Sequence, residues 1–159
     1  MEATFYGNDT INHPRKQQEA RRVTLPFAMV TARALIVRRS DGAILGMVHH
    51  PGAALALPGG LIDDGESAEA AVLRELEEEN VQLEGLANGW QSKLYVDYYH
   101  GYQSLSLWYL MAVDDARFGP NPETVETRWV PQDEEVWHPG MREKLLMALR
   151  EYAPEMLRG

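Results

Sequence analysis

The segment from Gly60 to Glu79 constrains this chain most, because its acidic residues recur at helical spacing. It reads GLIDDGESAEAAVLRELEEE. If the residues from about Ser67 onward are helical, Glu75, Glu78 and Glu79 stand at i, i+3 and i+4 and share one side of a turn. Three such carboxylates repel one another unless a cation lies among them, and their oxygens suit Mg²⁺ or Mn²⁺. The pattern predicts a helix that carries a divalent metal site, with metal-assisted attack on phosphorus as the chemistry.

The charge distribution also favours a cation at this segment. The formal net charge is −9, and residues 63 to 84 hold nine acids against one base, Arg74, a local net charge of −8. A Glu-rich helix is more often a solvated face, so the argument rests on the spacing of the acids and not on their number. An acidic chain repels polyanions, which excludes general nucleic-acid binding but leaves a small phosphorylated substrate possible.

Length and composition bound the class of protein. A chain of 159 residues is one domain by length and can bury a core without metal or disulfide staples. Cysteine is absent, which excludes disulfides and thiol chemistry and fits a reducing cytosol. The first ten residues lack the basic and apolar regions of a signal peptide, and Thr31 and Arg33 interrupt the longest apolar run, Leu25 to Val37. We therefore expect a cytoplasmic protein without membrane insertion.

The N-terminal residues differ in character from the rest of the chain. Residues 1 to 22 are polar and then basic, with Arg15, Lys16, Arg21 and Arg22 relieved only by Glu19. Such basic segments are mostly solvated surface, and a phosphate or dimer contact is the alternative. We expect an N-terminal extension over residues 1 to 22 and a single domain over residues 23 to 159.

Two hairpins are predicted from β-rich runs. Phe27 to Val37 and Ala43 to His49 flank a Ser-Asp-Gly turn, and Lys93 to Tyr99 and Gln103 to Val113 flank His100-Gly101. In the last run, alternate positions from Leu105 to Val113 form one apolar face.

The remaining segments complete an α/β pattern. Asp114 to Pro122 is expected to be a loop, Val125 to Val130 a strand, and Met141 to Tyr152 an amphipathic helix with Leu145, Leu146 and Leu149 facing inward. On the acidic helix, Val72 and Leu76, with Leu73 beside them, form the stripe expected to face the core. Hairpins around one helix, with a second helix near the end, predict a mixed β-sheet between helices.

The acidic segment resembles the Nudix box of the Nudix hydrolases. The spacing G-x5-E-x7-R-E-L-x-E-E is formed by Gly60, Glu66, Arg74, Glu75, Leu76, Glu78 and Glu79. Leu57 to Gly60 is similar to the family's approach to its catalytic helix, and Arg128 to Pro131 to its late strand. The resemblance implies an α/β/α sandwich with a mixed β-sheet, and a pyrophosphohydrolase that acts on phosphorus-containing acid anhydrides.

The end of the box departs from the family pattern. Val81 replaces the usual Gly and Gln82 the usual aliphatic residue. Glycine normally supplies a left-handed cap at such a helix end, and Asn80 tolerates that conformation. We expect the helix to end at Asn80, with every metal ligand preserved upstream.

The resemblance also implies roles for the acids. Glu75 and Glu79 are the expected metal ligands, Glu78 a ligand or water-positioning group, and Glu66 a further metal contact or a support for the ligands. Family members often recruit another acid from a loop after the central strands, as ligand or general base. Glu123 is the first candidate, and Glu126 and Glu134 are the alternatives. The identity of the general base stays open, because sequence gives no distance to the attacking water.

Arg74 and four other residues are candidates for supporting or substrate-binding roles. Arg74 is a permanent donor that can hold Glu66 or Glu78 by charge-assisted bonds. Gly59 and Gly60 allow close approach of the backbone. Arg33 can neutralise substrate phosphate. Tyr98 lies near the place where some family members that cleave dinucleoside polyphosphates carry a tyrosine, although strand tyrosines are mostly half-buried packing residues.

The predicted function is cleavage of a pyrophosphate bond in a nucleoside diphosphate linked to another moiety, with Mg²⁺ or Mn²⁺ as cofactor. The substrate class comprises nucleotide sugars, dinucleoside polyphosphates and nucleoside triphosphates. A non-catalytic nucleotide-sensing or interaction module on the same fold is the alternative, and its expected sign, loss of box glutamates, is not seen. An isomerase on the same fold is a third possibility. Because dimers are common in the family, a homodimer is possible.

Overall fold

The computed structural model describes residues 2–5, 21–24, 28–99, 104–134, 136–137 and 140–156. In chain order the strands are β1 (Glu2–Phe5), β2 (Arg21–Thr24), β3 (Met29–Arg38), β4 (Ile44–Val48), β5 (Gly59–Leu61), β6 (Val81–Glu84), β7 (Leu94–Tyr99), β8 (Ser104–Val113), β9 (Asp115–Phe118) and β10 (Glu126–Val130). The helices are α1 (Ala68–Glu78) and α2 (Met141–Met156), and a 3₁₀ turn spans Trp90–Ser92.

The central sheet is mixed, as predicted. Its strand order is β10-β4-β3-β8-β7, and β5 pairs with one end of β3. The long strands β3 and β8 run parallel over ten residue pairs, whereas the other pairings in this sheet are antiparallel. The C-terminal halves of this parallel pair are buried on both faces, which is typical of strands covered by helices on each side.

Side-chain alternation along β3 divides the core into two layers. Ala32, Ala34 and Ile36 join one buried cluster, whereas Leu35 and Val37 join the other. Helix α1 covers the first layer with Ala71, Val72 and Leu76, and α2 covers the second with Leu145, Ala148 and Leu149. The fold is therefore the predicted α/β/α sandwich.

The two predicted hairpins are confirmed as the pairs β3/β4 and β7/β8, and β10 and α2 lie where the sequence places them. The turn residues His100 and Gly101 lie outside the described part of the chain. Helix α2 turns Leu145 and Leu149 inward as expected, but Leu146 is only half-buried and Ala148 is buried instead.

Two other expectations are wrong. The segment Asp114 to Pro122 is not all loop, because β9 forms within it and pairs antiparallel with the unpredicted strand β6. Each of these strands has four residues, too few to show alternation clearly, so their pairing is set by tertiary contact. Leu73 does not face the core and is 46% exposed.

Part of the predicted N-terminal extension is a strand pair. β1 and β2 pair antiparallel, from Glu2 opposite Thr24 to Phe5 opposite Arg21. Arg15 and Lys16 lie outside the described residues, and the domain boundary at residue 22 stays a prediction. Neither described helix combines the length and apolarity needed to cross a bilayer.

Candidate active site

Helix α1 begins and ends where its capping residues require. Ser67 is the N-cap, and its hydroxyl oxygen accepts a hydrogen bond from the Ala70 amide at 3.1 Å. Asn80 has φ of 56°, so it supplies the left-handed residue that follows the helix, as predicted. Val81 then starts β6, and its side chain is buried in the core layer beneath α1. Relative to the family pattern, the left-handed residue thus lies one position earlier in the chain, at Asn80. The next position, Val81, is a buried core residue.

Three carboxylates converge next to this helix. Glu75, Glu79 and Glu123 each offer an oxygen that lies within 4.8 Å of the others. Glu79 has no exposed surface and Glu75 is 8% exposed, whereas Glu123 is exposed on the loop before β10. The sequence therefore found all three members of this carboxylate cluster, including the loop acid.

Burial makes the cluster electrostatically costly. Desolvation raises the pKa of Glu79 to about 8, although the Gly59 amide opposes the shift, and the charge of Glu75 adds to it. Desolvation also raises the pKa of Glu75, against the opposing effect of Arg74. Two buried carboxylates and an exposed third, all oxygen donors within a few ångströms, fit a hard divalent cation such as Mg²⁺ or Mn²⁺.

Arg74 organises the acids beside the cluster. Its Nε and Nη2 atoms donate to both Glu66 oxygens at 2.8 and 2.9 Å, and Nη1 donates to Glu75 and Glu78 at 3.1 Å each. Nη2 also donates to the Leu61 carbonyl at 3.0 Å. The Arg74 guanidinium lowers the pKa of Glu66, with help from the hydrogen bond between its carboxylate and the Asp63 amide. Glu66 and Glu78 thus contact Arg74, and the structure does not bring them into the carboxylate cluster.

The paired glycines hold the cluster from the sheet side. The Gly59 amide donates to Oε2 of Glu79 at 3.1 Å, and its φ of 133° is one that L side chains rarely adopt. A Cβ on Gly60 would lie 2.5 Å from Oε1 of Glu75, so only glycine leaves room for that carboxylate. Their contacts are with the cluster acids, and substrate contact by either glycine stays a prediction.

Arg33 and Tyr98 are the two remaining candidate substrate-binding residues. Arg33 is opposite Gly59 in the β3/β5 ladder, and its Nη1 donates to the Leu57 carbonyl at 3.0 Å. Burial lowers the pKa of Arg33, and the negative charges of Glu79 and Glu75 oppose that shift. Tyr98 is 41% exposed on β7 and shares by alternation the sheet face of Leu94, which packs in the layer beneath α1.

Sequence reasoning missed one residue beside the cluster. The side chain of Asn121 donates to the Glu79 carbonyl at 3.0 Å and accepts from the Glu123 amide at 3.0 Å. An Asn two residues before Glu123 is a turn signal that sequence alone offers, but the bond to the helix is visible only in the fold. The alternative loop acids, Glu126 and Glu134, instead form ion pairs with Arg128.

A sequence comparison decides the family. The NUDIX domain model matches residues 21–152. The chain belongs to the NUDIX domain family. This membership confirms the resemblance of the acidic segment to the Nudix box. Among curated proteins, none matches the sequence at a significant level.

Solved structures share the NUDIX fold of this chain. A bifunctional NMN adenylyltransferase/ADP ribose pyrophosphatase from Francisella tularensis, complexed with AMP and a Mn ion, is similar at a TM-score of 0.63 and 20% identity. The match covers 81% of this chain and 43% of that one, so this chain spans less than half of the Francisella protein.

Two shorter proteins match over nearly their whole length. An ADP-ribose pyrophosphatase from Streptococcus suis has a TM-score of 0.58 and 21% identity, covering 81% of this chain and 95% of its own. A possible asymmetric diadenosine tetraphosphate hydrolase from Jonesia denitrificans has a TM-score of 0.61 and 18% identity, covering 78% and 94%. At these identities the similarities establish the NUDIX fold and leave the substrate open.

Proposed function

We propose that this NUDIX protein is a metal-dependent hydrolase that cleaves the pyrophosphate bond of a nucleoside diphosphate linked to another moiety. The observation that carries the proposal is the convergence of Glu75, Glu79 and Glu123 within 4.8 Å on the box helix and the loop before β10. The similar structures are named for ADP-ribose and diadenosine tetraphosphate, which are both of this substrate type.

Mg²⁺ or Mn²⁺ is the proposed cofactor. The cation would be held by Glu75, Glu79 and Glu123. Glu78 and Glu66 are further candidate ligands, and in this structure both accept hydrogen bonds from Arg74. When bound, the cation neutralises phosphate charge and activates water. Support comes from the donor set of this chain and from the Mn ion in the Francisella structure.

Residues of the chain are proposed to take part in proton transfer, in positioning and in phosphate binding. A water attacks phosphorus in line, and a carboxylate takes its proton as the phosphate leaving group departs. Glu78 is the proposed proton acceptor, because it is exposed and lies outside the carboxylate cluster that would hold the cation. Arg74 acts through the carboxylates that it holds, and Arg33, half-buried within the electrostatic range of Glu75 and Glu79, is proposed to neutralise substrate phosphate.

The proposed nucleoside site lies on the sheet face beneath α1. Tyr98 pairs with Leu105, which pairs with Val30, so these three residues form a row across β7, β8 and β3. Tyr98, Val30 and the neighbouring Val96 are all exposed, although large apolar side chains are mostly buried elsewhere in this sheet. An exposed apolar row with one aromatic ring suits the flat face of a nucleobase. Gly59 and Gly60 are proposed to let the diphosphate approach the backbone.

Hydrolysis of a panel of substrates tests the proposal. Nucleotide sugars, dinucleoside polyphosphates and nucleoside triphosphates are incubated with Mg²⁺ or Mn²⁺, and products are identified by ³¹P NMR and mass spectrometry in H₂¹⁸O. We expect a nucleoside monophosphate and a second phosphorylated fragment, with ¹⁸O in one of them. Rearrangement without ¹⁸O would indicate the isomerase reaction instead.

Two variants of the same helix control this assay. Glu79→Gln removes a buried cluster carboxylate, whereas Glu77→Gln makes the same charge change at an exposed position outside the cluster. Glu79→Gln should lose at least about 100-fold in kcat/KM while Glu77→Gln stays within about twofold. Equal activity in Glu79→Gln and the parent would contradict the metal-site assignment. Tight nucleotide binding without turnover under either metal would favour the sensing module.

A further inference from the structure

The loop before β10 is fixed by a turn that one side chain builds. The Oδ1 atom of Asn121 accepts hydrogen bonds from the Glu123 and Thr124 amides at 3.0 Å each. Its Nδ2 donates to the Thr124 hydroxyl at 2.6 Å and to the Glu79 carbonyl at 3.0 Å. An asparagine amide offers two donors and an oxygen with two lone pairs, so Asn121 uses its full hydrogen-bonding capacity here.

These four bonds join two segments that are far apart in sequence. Three of them close the turn that carries Glu123, and the fourth crosses to Glu79, the C-cap of the box helix. A neighbouring contact runs the same way, because the Asn80 side chain donates to the Pro120 carbonyl at 3.4 Å. The main-chain atoms of Glu123 and Glu79 are therefore linked through one amide group.

We propose that Asn121 is the positioning residue for Glu123, because it ties the loop of this exposed carboxylate to the helix end that carries Glu79. The proposal rests on the proposed function, in which Glu123 joins Glu75 and Glu79 in holding the metal. Glu75 and Glu79 are fixed by burial and by the helix, whereas Glu123 is exposed on a loop. A loop ligand adds more affinity when its backbone is held in place before the metal arrives, because less ordering is then needed on binding.

Two substitutions separate the turn from the bond to the helix. In Asn121→Ser, the hydroxyl oxygen can still accept from the Glu123 and Thr124 amides, two and three residues ahead, but the side chain is too short to reach the Glu79 carbonyl. Asn121→Ala removes both the side-chain bonds of the turn and the bond to the Glu79 carbonyl. We expect both variants to bind Mn²⁺ about tenfold more weakly than the parent, measured by isothermal titration calorimetry and by the free Mn²⁺ electron paramagnetic resonance signal. If Asn121→Ser binds Mn²⁺ like the parent, the role assigned to the bond with Glu79 is overturned.

A double-mutant cycle identifies the residue through which Asn121 acts. In the Glu123→Gln background, Asn121→Ser should change Mn²⁺ affinity by less than about twofold, because the ligand that it positions is already lost. A tenfold loss in both backgrounds would show that Asn121 acts independently of Glu123 and would overturn the proposal. If instead Glu123→Gln alone leaves Mn²⁺ affinity and hydrolysis unchanged, the failure lies in the proposed role of Glu123.

Thr124→Val is the matched control for the fold of this loop. It removes the hydroxyl that accepts from Asn121 and leaves the bond from Nδ2 to the Glu79 carbonyl. We expect Mn²⁺ affinity within about twofold of the parent, because the loop and the helix end stay joined. If Thr124→Val weakens Mn²⁺ binding as much as Asn121→Ser does, general loosening of the turn accounts for both and the proposal is overturned. Urea unfolding of every variant confirms that each is folded at the assay temperature.

Discussion

The Gly59 amide lies 3.1 Å from Oε2 of Glu79, a carboxylate with no exposed surface. This bond joins the strand before the box helix to the C-cap residue at the end of that helix. It compensates only part of the cost of burial, since the pKa of Glu79 remains raised to about 8. Glu79 therefore holds a proton more readily than an exposed glutamate does, and a cation bound beside it would favour its ionised form.

This shift predicts how stability without metal depends on pH. The usual pKa of a glutamate is 4.5 and that of folded Glu79 is about 8, so between these values the folded chain holds a proton that the unfolded chain has released. Stability should therefore be greatest near or below the usual pKa and fall as pH rises through 8, by an amount on the order of a few kcal/mol. The raised pKa of Glu75 acts in the same direction.

Thermal unfolding from pH 5 to 9 in EDTA, in the parent and in Glu79→Gln, checks this prediction. The glutamine variant should lose much of the downward slope and be more stable than the parent at pH 9 without metal. Added Mg²⁺ should stabilise the parent most at high pH and have little effect on the variant. An identical slope in both proteins would refute the assignment of the shift to Glu79.

Gly60→Ala tests the close packing of the backbone against Glu75. The added Cβ would lie 2.5 Å from Oε1 of Glu75, so the carboxylate must shift from its present position. We expect hydrolysis to fall by roughly tenfold or more, since a displacement of about 1 Å at a catalytic group can cost this much. Gly52→Ala is the control, because a Cβ there meets nothing within 4 Å, although its φ of 80° strains the backbone. A similar loss of activity in both variants would point to general destabilisation.

Arg74→Lys tests the hydrogen bonds by which the Arg74 guanidinium holds Glu66, Glu75 and Glu78. Lysine keeps the charge but cannot donate to both Glu66 oxygens and to two further carboxylates at once. Steady-state kinetics should show a fall in kcat of about 10-fold to 100-fold with little change in stability. Arg117→Lys alters a single pair with Glu84 that is largely exposed, so it should leave kcat unchanged. Full activity in Arg74→Lys would show that positive charge alone suffices at this position.

Much of the fold follows from local patterns. The long strands β3 and β8 each contain a long run of apolar residues, and α1 carries its own start and stop signals in Ser67 and Asn80. The short strands β6 and β9 lack such local signals. Each has four residues, two of them polar, and they form strands only because they pair with each other in the folded protein. The sequence therefore predicts the central layers better than the small sheet beside them.

The same division holds at the candidate site. Glu75 and Glu79 follow from helical spacing, and Glu123 from the family pattern of a loop acid. The partners of these acids depend on folded geometry: Glu66 and Glu78 turn to Arg74, and Asn121 reaches the Glu79 carbonyl across the fold. Spacing along a helix fixes which residues share a side, but it cannot show which of them an arginine engages.

Asn80 allows a test of the helix exit. Its φ of 56° is unusual for a residue with a side chain, and alanine in this conformation costs about 1 to 2 kcal/mol. Asn80→Ala should therefore lower the free energy of unfolding in urea by about 1 kcal/mol, whereas Asn80→Gly should stay within about 0.5 kcal/mol of the parent, since glycine adopts this conformation freely. Kinetics should change little in Asn80→Gly, because the cluster acids of α1 lie upstream. If glycine and alanine destabilise equally, the side-chain bond to the Pro120 carbonyl, and not backbone conformation, is what asparagine contributes here.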